Sequence, residues 1–241
     1  RKKIMINTIK ILLLSFLILS CSNQNKTKSD WIILFDGETT KGWRGYNSDS
    51  MPPGWLVKDG ALTFDTQLRL EADWKGGRDI IYGDEEFENF ELYLEWKLPE
   101  AGNSGIFYHL KEGYNSPPGH SPEYQLIDDL KWGVANNAEL LDWQKTGADY
   151  AMYVPDESKK IVKPAGEWNS SKIIFTPEKV EHWLNGNLIL SFVPWSEDWY
   201  ERKNKGEWKN SPEYGKHKKG YIGLQDHDSP IWFKNIKIKK L

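Results

Sequence analysis

Residues 102–129 read GNSGIFYHLKEGYNSPPGHSPEYQLIDD, two strand-like segments joined by a Gly/Pro-rich loop. The first, residues 106–110, mixes β-branched, aromatic and aliphatic residues as strands do. The second, residues 122–128, alternates. Successive side chains of a strand point to opposite faces, so Tyr124 and Leu126 share one face, and Glu123, Gln125 and Ile127 the other. A glutamate and a glutamine two apart put hydrogen-bonding groups on a strand face that otherwise holds apolar or solvated side chains. The loop between supplies Tyr114 and His120, with Gly113, Pro117, Pro118 and Gly119 fixing its backbone. Two readings stay open: a polar face overhung by a loop that holds a sugar, or the solvent-facing side of an outer strand.

Outward from this stretch the chain keeps to short strands separated by turn signals. Residues 90–98 (FELYLEWKL) alternate cleanly and predict a half-buried antiparallel strand with Phe90, Leu92, Leu94, Trp96 and Leu98 on the core side. Asp59-Gly60 and Asn185-Gly186, each between apolar runs, are hairpin signals, which makes Asn185 a turn residue rather than a ligand binder. Residues 136–145 predict a short helix or helical turn, and residues 151–155 a strand end. Residues 195–214 predict a long, charged, aromatic loop with a helical turn. Regular strand spacing, no internal repeat and little amphipathic helix predict an all-β sandwich.

The N-terminal residues read differently. Arg1-Lys2-Lys3 precede the mostly apolar residues 4–20, whose core LLLSFLIL (residues 12–19) is short for a bilayer span and suits a secretory signal. Ile18-Leu19-Ser20-Cys21 resembles a bacterial lipobox. The reading is a lipoprotein signal peptide over residues 1–20, a lipidated Cys21, a polar tether over residues 21–30, and one domain over residues 31–241. Cys21 is the only cysteine, so no intramolecular disulfide can form. Such a protein belongs in the cell envelope, the periplasm or outer membrane of a Gram-negative bacterium, and touches the membrane through its lipid alone. A net charge of −3 with interspersed signs offers no footprint for nucleic acid. Thirteen Trp and eleven Tyr in an exported, β-rich chain fill a sandwich core or stack on sugar rings, which points to carbohydrate.

Six phrases occur in order along the chain: WIILFDGETTKGW (31–43), DIIYGDEEFENFELYLEWKLP (79–99), GNSGIFYHL (102–110), PEYQLIDD (122–129), EHWLNG (181–186) and GYIGLQDHDSPIWFKNIKIKKL (220–241). Together they resemble the 3-keto-disaccharide hydrolase domain family over nearly the whole chain beyond the tether. The resemblance implies a concanavalin-like jelly-roll β-sandwich of two curved antiparallel sheets, with the ligand groove on the concave one. It implies an enzyme that cleaves 3-keto-disaccharides and other 3-keto-glycosides, and hence an upstream sugar 3-dehydrogenase. A C3 ketone acidifies the C2 proton; its removal gives an enolate that expels the C1 oxygen, and water then adds across the enone. Such a site needs a base near C2, an acid for the leaving oxygen, and donors to the enolate oxygen. Glu123 and His227 are the expected catalytic residues, and Gln125, Asn103, Tyr108, His120 and Gln225 the expected substrate-binding ones. His109 and His182 read as strand-face histidines. Asp128, Asp129, Asp226, His227 and Asp228 offer metal donors at no recognised spacing, so no metal ligand is assigned and a divalent cation stays open as cofactor.

Two other readings are carried forward. A non-catalytic lectin-like module would use aromatic platforms, with Trp43, Trp132 and Trp143 available. A two-carboxylate glycosidase of laminarinase type would need Glu123 and Asp128 about 5–5.5 Å apart on one face. Their spacing puts them on opposite faces unless a bulge intervenes, and Gln125 stands where that pattern expects an acid. The separating observation is whether Glu123, Gln125 and His227 converge on one pocket.

Overall fold

The computed structural model describes residues 30–73 and 78–241; the expected signal peptide, the lipidation site Cys21 and all of the tether except Asp30 lie outside the described residues. Two antiparallel sheets pack face to face as a jelly-roll β-sandwich. The larger contains β1 (Ile32–Ile33), β3 (Trp55–Lys58), β4 (Ala61–Phe64), β6 (Phe90–Lys97), β9 (Asn169–Thr176), β10 (Lys179–Leu184), β11 (Asn187–Phe192) and β13 (Ile231–Lys240). Its order is β11-β10-β9-β6-β13-β4-β3, with β1 on the side of β13. The smaller contains β2 (Trp43–Gly45), β5 (Ile80–Tyr82), β7 (Asn103–Leu110), β8 (Glu123–Ile127) and β12 (Tyr221–Leu224), in the order β2-β5-β12-β7-β8.

The period-2 pattern builds the core. In β6 every other residue is buried, and the expected set Phe90, Leu92, Leu94, Trp96 and Leu98 lies between the sheets. Ile106 and Tyr108 of β7, Tyr124 and Leu126 of β8, and Ile222 and Leu224 of β12 meet that set from the smaller sheet. Asp59-Gly60 and Asn185-Gly186 both take positive φ (52° and 74°; 47° and 86°), the backbone of a tight type I′ hairpin. One contrast locates the site. The strand β6 alternates buried with half-exposed, whereas every residue of β7 and of β8 is buried. The outer face of the smaller sheet is therefore roofed by other parts of the chain.

The roof is where sequence patterning and structure part. The short helix or helical turn expected at residues 136–145 is the 3-10 turn at Asp142–Gln144, and a short helix α2 (Trp132–Asn136) that was not expected precedes it. Residues 151–155 form no strand; Asp149 and Tyr153 make an isolated bridge. Residues 195–214 hold a nine-residue helix α3 (Glu197–Lys205) and a 3-10 turn at Glu207–Asn210. Ser196 caps α3 by accepting from Trp199 N at 3.2 Å, with acids in its first turn and bases in its last. A further helix α1 (Thr66–Glu71), capped by Asp65, was not anticipated.

Candidate active site

The paired register of β7 and β8 sets Gly105 against Gln125 and Phe107 against Glu123. Directly opposed residues share a face, so Glu123 and Gln125 stand on the outer side of the smaller sheet while Tyr124 and Leu126 enter the core. Across β7, the backbone of Gln225 is pinned twice: its N–H donates to Gly105 O at 3.0 Å, and its carbonyl accepts Ser104 Oγ at 2.8 Å. The register of β12 with β5 (Leu224 opposite Ile80) puts Asp79 opposite Gln225 at the next step. Asp79 Oδ1 accepts the Asp226 N–H at 2.9 Å.

Glu123, Gln125, Asn103, Gln225 and His227 line one cleft of about 470 Å³, together with Ile127, Trp132, Leu140, Gln144, Tyr150 and Trp208. That volume lies within the range of small-molecule sites. Gly105 makes the floor. A Cβ there would fall 1.9 Å from Glu123 Oε1, so the carboxylate occupies the space a side chain would take. Glu123 is buried, and among the described residues no group hydrogen-bonds its carboxylate. Burial, then the nearby charges of Asp79 and Asp149, push its pKa well above the ordinary carboxylate value. Asp79 is pushed up to about 7, by burial first and also by the charge of Asp226, against the Asp226 N–H bond. The amide oxygens of Asn103 and Gln225 are buried with no donor among the described residues. Buried acceptors without partners cost stability and accept readily from hydroxyls.

His227 is exposed at the cleft, carried by a loop that charge holds in place. Asp226 Oδ1 accepts the Asp228 N–H at 2.8 Å, and the Asp228 carboxylate bonds both Arg69 of α1 and Arg78. Asp226 Oδ2, buried, lies 3.7 Å from Arg69 Nε and 3.8 Å from Arg78 Nε. Among the described residues no three His, Cys, Asp or Glu side chains gather as a metal site would require.

Two residues expected at the substrate do not reach the cleft. Tyr108, two positions from the core residue Ile106, shares its face; it is buried between the sheets and its hydroxyl donates to Asp149 Oδ1 at 2.8 Å. His120 is clamped beneath its loop, its ring 4.1 Å from that of Tyr114 and its Nε2 donating to Lys111 O at 3.0 Å. His109 and His182 are buried, each donating to a backbone carbonyl (Glu88 and Gly147), and burial lowers both to about 4. Of the proposed platforms Trp43 is in the core, Trp143 packs edge-on against Tyr150, and Trp132 lines the cleft. The sequence reading missed Asp79, Tyr150 and Trp208. Parity from Ile80 would have put Asp79 on the outer face; for Trp208, in the 3-10 turn after α3, no local signal exists.

Fold and cleft together define a carbohydrate-active β-sandwich protein. The match is specific: residues 30–239 fit the 3-keto-alpha-glucoside-1,2-lyase-like domain, and the chain belongs to that family. It is 34% identical over 236 residues to a 3-keto-disaccharide hydrolase of Bacteroides thetaiotaomicron, covering 88% of this chain and 78% of that one. A crystal structure of a candidate glycosyl hydrolase from Parabacteroides distasonis superposes with a TM-score of 0.78 at 42% identity, covering 88% of this chain and 94% of the other. A second from the same organism superposes at 0.65 with 27% identity, covering 88% and 99%.

Proposed function

We propose that this chain is an enzyme that cleaves 3-keto-disaccharides and other 3-keto-glycosides by proton abstraction at C2, elimination of the C1 oxygen, and hydration. The observation that carries the reading is convergence. A buried carboxylate and two amide oxygens, none with a hydrogen-bond partner among the described residues, meet an exposed imidazole in one cleft. The family and the curated relative support the substrate class.

Glu123 takes the C2 proton. Its raised pKa makes it a stronger base once ionised and brings its ionisation nearer the working pH. The C2–H electron pair forms the C2–C3 double bond and charge moves to the C3 oxygen, where the amide groups of Asn103, Gln125 and Gln225 donate. When the enolate collapses the C1–O bond breaks, and His227 gives the leaving oxygen its proton. Water then adds at C1, losing a proton to His227, while Glu123 returns its proton to C2, so both residues end as they began. The two-carboxylate alternative finds no support in Asp128, whose oxygens are taken by the Ala101, Leu130 and Lys131 N–H groups.

The substrate presupposes an oxidoreductase that first oxidises the C3 hydroxyl. The reading places the enzyme in the cell envelope, anchored through Cys21. The test is turnover of a 3-keto disaccharide beside its unoxidised parent, with Glu123→Gln and with chelator. Cleavage of the keto sugar alone, abolished in Glu123→Gln, is the expected result; loss with chelator would add a cation. Equal cleavage of both sugars would indicate a conventional glycosidase, and glycan binding without cleavage a lectin.

A further inference from the structure

The polar groups of the cleft sit over β7, β8 and the end of β12, but the cleft continues past the edge of β8. There the chain adds one more extended segment, where Gln125 N donates to Ala148 O at 3.1 Å and Tyr150 N donates to Glu123 O at 3.0 Å. Tyr150 and Trp208 line this end. Trp208 comes from the 3-10 turn that follows α3, and its placement is over-determined. Its indole N–H donates to Tyr150 O at 3.2 Å, and its ring lies parallel to that of the buried Tyr214, 4.6 Å between centroids at 12°. Tyr214 stacks in turn with Trp199 of α3, 6.0 Å away at 15°. One face and the only polar edge of Trp208 are thus spent on the protein, while the residue itself is only partly buried and lines the cleft. The Tyr150 ring crosses it at a tilt, 6.2 Å between centroids at 50°, and what stays open for a ligand is an apolar part of the indole in the cleft that Glu123 also lines; a flat apolar surface recognises a ring.

We infer that Trp208 forms the leaving-group subsite, selecting substrates whose departing group is itself a ring: a pyranose presenting its C–H face, or an aromatic alcohol. The inference rests on the proposed cleavage of 3-keto-glycosides. The 195–214 segment then sets the choice of aglycone, separately from the groups that act at C1 to C3.

The test compares wild type, Trp208→Ala and Trp208→Phe on three probes: a 3-keto glucose disaccharide, 3-keto 4-nitrophenyl glucoside and 3-keto methyl glucoside. In Trp208→Ala the ratio of kcat/KM for a ring-bearing probe to that for the methyl probe should fall about ten-fold, and Trp208→Phe should restore most of it. A fall for the disaccharide alone identifies a sugar subsite; a fall for the nitrophenyl probe alone identifies an aryl one. An unchanged ratio for both ring probes overturns the inference. A second arm does not depend on catalysis: calorimetric binding of the unoxidised disaccharide to the full chain. Weaker binding by Trp208→Ala supports the subsite even if wild type cleaves none of the probes, and equal binding overturns it.

Discussion

The Glu123 carboxylate lies over the bare Cα of Gly105, filling the volume that any side chain at residue 105 would claim. The two residues stand on adjacent strands, Gly105 opposite Gln125 and one pleat away from the partner of Glu123, so the glycine is what lets a carboxylate lie flat against the sheet.

Gly105→Ala should therefore remove activity without removing the fold. The new methyl would meet Oε1 at 1.9 Å and drive the carboxylate off its position. A misplacement of about 1 Å costs on the order of 100-fold in rate. Overpacking costs about 1–3 kcal/mol, which a domain of this size survives. The checks are kcat/KM on a 3-keto disaccharide and the melting temperature. A Gly105→Ala enzyme that is folded and fully active would mean that the Glu123 carboxylate has no part in the reaction.

The acidic limb of the pH profile should report the Glu123–Asp79 pair. Burial and the Asp79 charge both raise Glu123, and Asp79 itself lies at about 7, so the pair titrates jointly. A base must be ionised to work, so kcat/KM should rise with pH along a limb above the ordinary carboxylate range. Asp79→Asn removes a like charge and should move that limb to lower pH. Stability should run the other way. Below the unfolded carboxylate value both states hold the proton; as pH rises towards the raised folded value, the unfolded chain releases it while the native state keeps it, so folding weakens. Glu123→Gln should abolish turnover yet melt higher than wild type, by a margin that grows as pH rises above the ordinary carboxylate range. A melting difference that stays flat with pH would remove the case for a raised Glu123.

Much of this was legible in residues 102–129. Alternation alone assigned Glu123, Gln125 and Ile127 to one face of β8 and Tyr124 and Leu126 to the other, and the register agrees. The hairpins at Asn185-Gly186 and Asp59-Gly60 were readable because their backbone demands positive φ, a purely local requirement. Tyr108 was open to the same parity reasoning, since Ile106 two positions earlier is plainly a core residue. His120 and Trp208 were not, because neither lies on a strand. Their positions depend on contacts across long stretches of chain, His120 against Tyr46 and Trp208 against Tyr150, added to nearer stacking on Tyr114 and Tyr214. The roof over the smaller sheet is made of such contacts, and no periodicity encodes them.

The position of Tyr108 gives a control that separates the core from the cleft. Among the described residues its hydroxyl is the one hydrogen-bond donor to the Asp149 carboxyl, which is buried and pushed up to about 7 by that burial. Tyr108→Phe should cost about 1–3 kcal/mol by leaving that group unsatisfied, while KM for the 3-keto disaccharide stays close to wild type. Adding Asp149→Asn should recover part of the loss, because an amide avoids the cost of burying charge. Urea unfolding of the two single variants and the double variant measures the coupling. A Tyr108→Phe enzyme with unchanged stability and a several-fold higher KM would place Tyr108 at the substrate instead.

Arg69 tests whether the His227 loop must be held rigid. The residue sits in α1, its guanidinium bonds Asp228, and its Nε lies 3.7 Å from the buried Asp226 Oδ2, so one side chain braces the acids on both sides of His227. The second brace, Arg78, reaches the same two acids from the end of the segment that leads into β5. Arg69→Ala therefore leaves the loop half-supported rather than free. Asp226 Oδ2 loses one of two long ionic contacts and Asp228, which is exposed, one of its two arginines, which predicts a stability loss of about 1 kcal/mol or less. If His227 supplies the leaving-group proton, a loosened loop lowers kcat by misplacing the imidazole, while the amides and Glu123 still hold the substrate and KM moves little. The effect should shrink for a probe whose leaving group needs no proton, such as 3-keto 4-nitrophenyl glucoside, and persist for a disaccharide whose alkoxide needs one. Steady-state kinetics on the two probes decides the matter. An equal drop in kcat on both would make Arg69 a brace for the fold alone and remove His227 from the acid's role.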